Sequence, residues 1–410
     1  MPPSCYGLPS MSAPKTPSEA IDERSCATIV EPAAATPNVR AFGLNADERL
    51  RRSLSSCGLR IIASADIGNL DSDTERVIAL RASHFYDHRL IAELAENSAP
   101  LLLVAANDGG EEPVSVGMVG SPDQLERILP VLRSGEYSAE TAAAAGLEIA
   151  YATDIVRPYD AKLRRNTPPF VLPAVPERAL EVQNRIFDAS YKGVTDFVTK
   201  WIWPLPARIV THWCARFGVA PNTVTAVSYV LTFLTLFAFW QGELTIGLVS
   251  AWLMTFLDTV DGKLARVTLT SSKIGDILDH GLDLIHPPFW WAAWAAGMTG
   301  PTTLFGDYAV WVAIVCGGYV VGRLLEGLFM IAFDQEMFVW RPFDLKFRLF
   351  IARRNPNLVL LTAATILGRP DLGFMAVGIW TLACIGIQCV RLGQAAALRM
   401  RGQDILPYAD

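Results

Sequence analysis

The stretch Asp258–Asp283 reads D-T-V-D-G-K-L-A-R-V-T-L-T-S-S-K-I-G-D-I-L-D-H-G-L-D, and its reading decides the fold. It joins two apolar runs long enough to be membrane helices. Ionisable groups at membrane depth are costly, so an array of them marks a functional site. Asp258 and Asp261 are spaced i,i+3, and Asp279 and Asp283 are spaced i,i+4. Each pair therefore shares one helix face. Two such faces turned toward each other would make an oxygen-rich cage suited to hard divalent cations.

Working outward, residues 219–397 are dominated by apolar runs of about twenty residues, the length of a membrane span. Six segments are expected, near 222–241, 243–266, 276–300, 308–334, 355–368 and 371–395. The connections after the second, fourth and sixth carry Lys263, Arg266 and Lys273, then Arg341, Lys346, Arg348, Arg353 and Arg354, then Arg399 and Arg401. The opposite turns hold only Arg369, so the positive-inside rule places both termini and the N-terminal domain in the cytoplasm. In a bacterium this would be the inner membrane. Ahead of the first segment, Pro206 can open a helix with Ile209, Val210, Trp213 and Phe217 on one face. With Trp201 and Trp203 upstream, it reads as an amphipathic helix on the membrane surface.

The chain has 410 residues, 51% of them hydrophobic, a mean hydropathy of +0.29 and a net charge of −6, which gives no case for nucleic-acid binding. Seven cysteines without a CxxC spacing read as reduced thiols. Residues 1–40 are Pro/Ser/Ala/Thr-biased and read as a disordered tail without a signal sequence. Residues 41–174 read as a soluble α/β, Rossmann-like domain, with strands Leu59–Ala63 and Leu101–Ala105, a helix over Glu75–Glu96 and a shorter one over Asp123–Leu129 stopped by Pro130. Asn107–Gly110 reads as a tight turn in preference to a phosphate loop. Residues 175–218 form the linker and interfacial helix, and 219–400 the membrane domain.

The register D-x2-D-G-x2-A-R-x8-G-x3-D-x3-D is met by Asp258, Asp261, Gly262, Ala265, Arg266, Gly275, Asp279 and Asp283. It resembles the signature of the CDP-alcohol phosphotransferase family, integral-membrane enzymes with six transmembrane helices. The resemblance spans about 195–395 and implies two divalent ions, Mg²⁺ or Mn²⁺, held by Asp258, Asp261, Asp279 and Asp283. Asp283 touches the second metal or takes the proton of the incoming hydroxyl, and Arg266 pairs with phosphate or with a carboxylate. Gly262, Ala265 and Gly275 would let cytosine and pyrophosphate approach the backbone. Pro221-Asn222-Thr223-Val224-Thr225 matches a recurring family opening of the first segment, with Asn222 near substrate. The implied reaction moves a substituted phosphate from a CDP-alcohol, such as CDP-diacylglycerol, to an acceptor alcohol and releases CMP. The implied setting is phospholipid biosynthesis, among membrane lipids and as a homodimer.

Arginine suits phosphate, and the family resemblance implies that Arg353 and Arg354 grip a phosphorylated acceptor such as inositol phosphate, against the alternative of lipid headgroups. His286, on the face of Asp279 and Asp283, either contacts the acceptor or is a structural histidine before a Pro287-Pro288 kink. Arg323 and Glu326 form either a structural or a pocket-lining pair, and Lys192 is a candidate phosphate contact. The α/β domain resembles, in arrangement, the cytidylyltransferase fused to some family members. Ile61–Gly68 lacks the Gly-rich loop of active forms, so an inactive nucleotidyltransferase-like domain is expected. The alternatives are a bifunctional cytidylyltransferase/phosphotransferase making a soluble phosphodiester, a prenyltransferase, whose N-D-x2-D and D-D-x2-D motifs are missing, and an ion-coupled transporter.

Overall fold

The computed structural model describes residues 24–33, 37–63, 74–96, 99–106, 112–160, 162–271, 273–300 and 305–408, with backbone alone for 273–280 and 282. The chain divides into two compact units, Met1–Thr36 with Leu50–Ile155, and Pro37–Arg49 with Val156–Asp410.

The first unit is built on strands β1 (Ser25–Val30), β2 (Arg60–Ile62), β3 (Arg76–Arg81), β4 (His84–Tyr86), β5 (Leu101–Ala105), β6 (Val114–Gly120) and β7 (Glu148–Tyr151). Six of them form a sheet in the order β2-β1-β3-β6-β5-β7. β1 runs parallel to β2 and β3, whereas β6 is antiparallel to both β3 and β5. The sheet is thus mixed, and β1 lies where the strand order reverses. Helices α1 (Ala46–Ser56), α2 (His88–Glu96), α3 (Pro122–Ser134), α4 (Ala139–Ala144) and α5 (Ala152–Ile155) complete the order through Ile155. Leu125, Ile128 and Leu132 of α3 pack on Val77 and Ala79 of β3 and on Met118 of β6.

Three expectations change here. The tail does not run to residue 40, because Ser25–Val30 is a fully buried strand. Its apolar run, Cys-Ala-Thr-Ile-Val, is too short to stand out beside a Pro-rich tract. The helix expected over Glu75–Glu96 is half strand, since Val77, Ile78, Ala79 and Leu80 are buried on both faces and the helix starts only at His88. Pro130 does not end its helix. A Ser121–Gln124 capping box starts α3, and Gly135 in the left-handed conformation (φ 80) closes it five residues after the proline. The candidate loop Asn107–Gly110 lies outside the described residues.

In the second unit, α6 (Ala179–Ala189) and α7 (Pro204–Arg216) precede α8 (Pro221–Trp240), α9 (Leu244–Thr268), α10 (Lys273–Thr299), α11 (Ala309–Phe333), α12 (Pro342–Phe350), α13 (Arg354–Ile366) and α14 (Pro370–Met400). Prolines open α7, α8, α12 and α14, where a missing N–H costs nothing. The helix expected from Pro206 begins at Pro204, and Leu205, Ile209, Trp213 and Phe217 form an exposed apolar stripe along it and just past its end. Pro37–Arg49 and residues 156–203 pack with this unit, so the boundary near Ala174 moves to Val156. Arg49 donates to the Val267 carbonyl at 2.5 Å and so satisfies the C-terminal turn of α9.

Among the described residues, four helical stretches are long and apolar enough to cross a membrane: Pro221–Trp240, Leu244–Thr268, Gly306–Phe333 and Pro370–Met400. α13, with 13 residues, is about 20 Å long at 1.5 Å per residue, short of a hydrocarbon core of about 30 Å. The shared core gathers Phe239, Trp290, Trp291, Trp294 and Phe374 from α8, α10 and α14. α10 continues through Pro287 and Pro288 as one helix. Those prolines leave the carbonyls of Asp283 and Leu284 without their helical donors. The Tyr319 hydroxyl on α11 lies 3.0 Å from the Leu284 oxygen and 3.4 Å from that of Asp283, and so covers both.

Candidate active site

Asp258 and Asp261 lie on α9 and Asp283 on α10. Arg354, the first residue of α13, joins two of the three. Its Nη2 donates to Asp258 Oδ2 at 2.6 Å and its Nη1 to Asp283 Oδ1 at 2.5 Å. One guanidinium spanning both carboxylates means that α9 and α10 turn these acids toward a common point. Asp279 and Gly275 lie on α10, but their side chains are outside the described residues.

Asp261 is 4% exposed. Its Oδ2 accepts from Thr225 Oγ1 at 2.7 Å and its Oδ1 from the Gly262 amide at 2.5 Å. A buried carboxylate needs such donors to be tolerated. Asn222, in the first turn of α8, is exposed. The residue of the P-N-x-x-T opening that reaches the acids is therefore Thr225, three residues further along the same helix face.

Arg266 donates through Nε to the Ser190 carbonyl at 2.8 Å. Its guanidinium lies over Gly262, where an added Cβ would come within 3.1 Å of it, so the missing side chain makes room for arginine. Lys263, 3% exposed, reaches the same Ser190 carbonyl at 3.4 Å and lies 3.3 Å from the Tyr191 ring centroid. Tyr191, outside the membrane helices, has its hydroxyl pKa raised by burial. Lys192 is exposed. Ala265 is half-buried.

The two adjacent arginines diverge. Arg353 donates to Glu326 Oε2 at 2.5 Å, joined by Arg323 at 3.1 Å, while Gln388 donates to Glu326 Oε1 at 3.2 Å. These four line a shallow cleft between α11, α14 and the residues just ahead of α13, with Tyr319 and Gly322 on its wall. Arg323 and Glu326, expected as a structural or a pocket-lining pair, are ion-paired at 3.1 Å along its wall. His286 is 4% exposed, its ring 4.5 Å from that of Trp290, and it does not line this cleft. Arg354, expected to meet acceptor phosphate, has Asp258 and Asp283 as partners here.

Residues 218–342 match the family model described as CDP-alcohol phosphatidyltransferase. The chain carries a domain of that family over these residues. Among curated proteins, archaetidylinositol phosphate synthase of Pyrococcus horikoshii is 37% identical over 79 residues, which are 19% of this chain and 42% of that protein. Cholinephosphotransferase 1 of Danio rerio is 29% identical over 98 residues, 20% of this chain and 26% of that protein. The chain thus spans less than half the length of the curated relatives it matches. The CDP-alcohol phosphatidyltransferase match covers α8 to α11 and with them Asp258, Asp261 and Asp283, while Arg353 and Arg354 fall beyond it.

Proposed function

We propose that the protein transfers a substituted phosphate from a CDP-alcohol to an acceptor alcohol and releases CMP. The observation that carries this reading is the shared focus of Asp258 and Asp283, on two helices, inside the segment that matches the family. The donor set fits a hard divalent cation: the acids present oxygen alone, and a cationic group already lies between two of them. Asp258, Asp261, Asp279 and Asp283 would hold two Mg²⁺ or Mn²⁺ ions. Such ions neutralise charge on the pyrophosphate and on the leaving CMP.

Thr225 and the Gly262 amide orient Asp261, and Tyr319 ties down the backbone at Asp283. The Asp283 side chain is the most exposed of the three described acids, at 40%, and suits the proton-accepting role. It takes the acceptor hydroxyl proton as that oxygen bonds to phosphorus. The bond from phosphorus to the bridging oxygen breaks, and that oxygen leaves with CMP. Ala265, half-buried one turn beyond Asp261, lines the approach of the nucleotide.

The Arg323–Arg353–Glu326 cleft supports a phosphorylated polyol, such as inositol phosphate, as acceptor, because two guanidiniums against one carboxylate leave net positive charge. In a six-pass arrangement α10 and α13 join the four long apolar helices. The exposed stripe of α7 lies on the membrane surface, and both termini are cytoplasmic. In the N-terminal unit the segment after the switch-point strand β1, Glu-Pro-Ala-Ala-Ala-Thr (31–36), has no glycine, which supports a domain that does not turn over nucleotide.

The test is CMP release by the purified full chain with Mg²⁺ or Mn²⁺ across CDP-alcohol donors and alcohol acceptors, with Asp279→Asn as control. No CMP from any donor, or full activity in the control, would sink the assignment. The same preparation given CTP and a polyol phosphate is expected to release no pyrophosphate.

A further inference from the structure

We propose that Arg354 is a built-in counter-ion for Asp258 and Asp283, exchanged for divalent metal when the site loads. The inference rests on the metal reading above and adds a regulated step to it. Arg354 contacts one oxygen of each carboxylate, at 2.6 and 2.5 Å, from a third helix. The Arg354 and Asp258 side chains are only 14% and 17% exposed, so two carboxylates facing one point there would repel without a cation between them. A guanidinium supplies that cation, but it uses the lone pairs that a metal would need. A divalent ion and a guanidinium cannot both lie against the same two oxygens without strong like-charge repulsion.

Two further features suit exchange. Asp283 is 40% exposed, which opens the pair to solvent on one side. Arg354 is the first residue of α13, and its neighbour Arg353 is anchored separately on Glu326. Arg354 can therefore leave by rotating its side chain while the backbone stays in place. Its released charge stays beside the carboxylates, where an incoming pyrophosphate would meet it.

The test is Mn²⁺ binding by the full chain in lipid nanodiscs, read from the electron paramagnetic resonance signal of free Mn²⁺. Arg354→Gln, which removes the competing charge, is expected to bind Mn²⁺ about tenfold more tightly than the wild type, with Arg354→Lys between them. A readout on the unaltered protein is phenylglyoxal labelling of Arg354, followed by mass spectrometry of its peptide. Labelling is expected to rise several-fold at saturating Mn²⁺, and it decides the matter alone if the Gln variant does not fold. Unchanged or weaker Mn²⁺ binding in Arg354→Gln overturns the exchange and leaves the metal reading standing, as does labelling that Mn²⁺ does not move. Absence of Mn²⁺ binding in wild type and variant alike overturns both.

Discussion

Arg391 meets the two oxygens of Asp344 at 2.7 and 2.6 Å and lies against the rings of Trp340 and Phe343. Arg354 spreads its two ends over Asp258 and Asp283, which come from different helices. The first pair is closed, with its acid side chain 1% exposed, while the second leaves one acid 40% exposed. One arginine for one acid, sealed by aromatic rings, balances its charge and fixes α12 against α14. Arg354 serves two acids at once, and one of them is 40% exposed. The same chemical pairing thus makes a structural clamp in one place and an exchangeable site in the other.

Breaking the closed pair should have the largest effect. Asp344→Asn leaves Arg391 without its counter-charge and is expected to cost about 3–5 kcal/mol of stability, seen as a lowered thermal midpoint in detergent. Metal affinity should stay at the wild-type value, and a shift in it would erase the distinction between the two sites. Asp258→Asn acts at the open site. CMP release should fall by more than about 100-fold, beyond the 10–100-fold typical for losing only a ligand's own hydrogen-bond partner. Its thermal midpoint should move far less than that of Asp344→Asn.

Thr225→Val removes the hydroxyl that holds Asp261 at 2.7 Å. About a tenfold loss of metal affinity or activity is expected, read from a Mn²⁺ titration of CMP release. The smallest effect belongs to an exposed pair, Arg208–Asp188 at 2.8 Å, with side chains 38% and 55% exposed. Asp188→Asn should cost less than about 1 kcal/mol in the same melting experiment. A larger loss would mean that exposure does not separate clamps from weak contacts in this protein.

The carboxylate register could be read directly from the chain, because i,i+3 and i,i+4 spacings are local and a helix converts them into shared faces. The apolar lengths of α8, α9, α11 and α14 were equally plain, as was strand β5 at Leu101–Ala105. Strand β1 and the strand half of Glu75–Glu96 were not, because short buried strands carry no period that separates them from helix or tail. Thr225 was visible inside a motif, yet nothing local indicated that it, and not Asn222, would face the acids. Tyr319 gave no signal at all. Its role exists only because Pro287 and Pro288 strip donors from carbonyls on a different helix.

Arg353 and Arg354 mark the boundary most sharply. Composition and spacing alone determined that two adjacent arginines lie at the polar end of an apolar segment, near an acidic array. Tertiary structure decided that one turns to Glu326 and the other to Asp258 and Asp283, residues 96 and 71 positions away. Periodicity states which residues share a helix face. The rotation and crossing of helices set which faces meet, and these depend on packing around Phe239, Trp290 and Phe374, which no local pattern in the chain encodes.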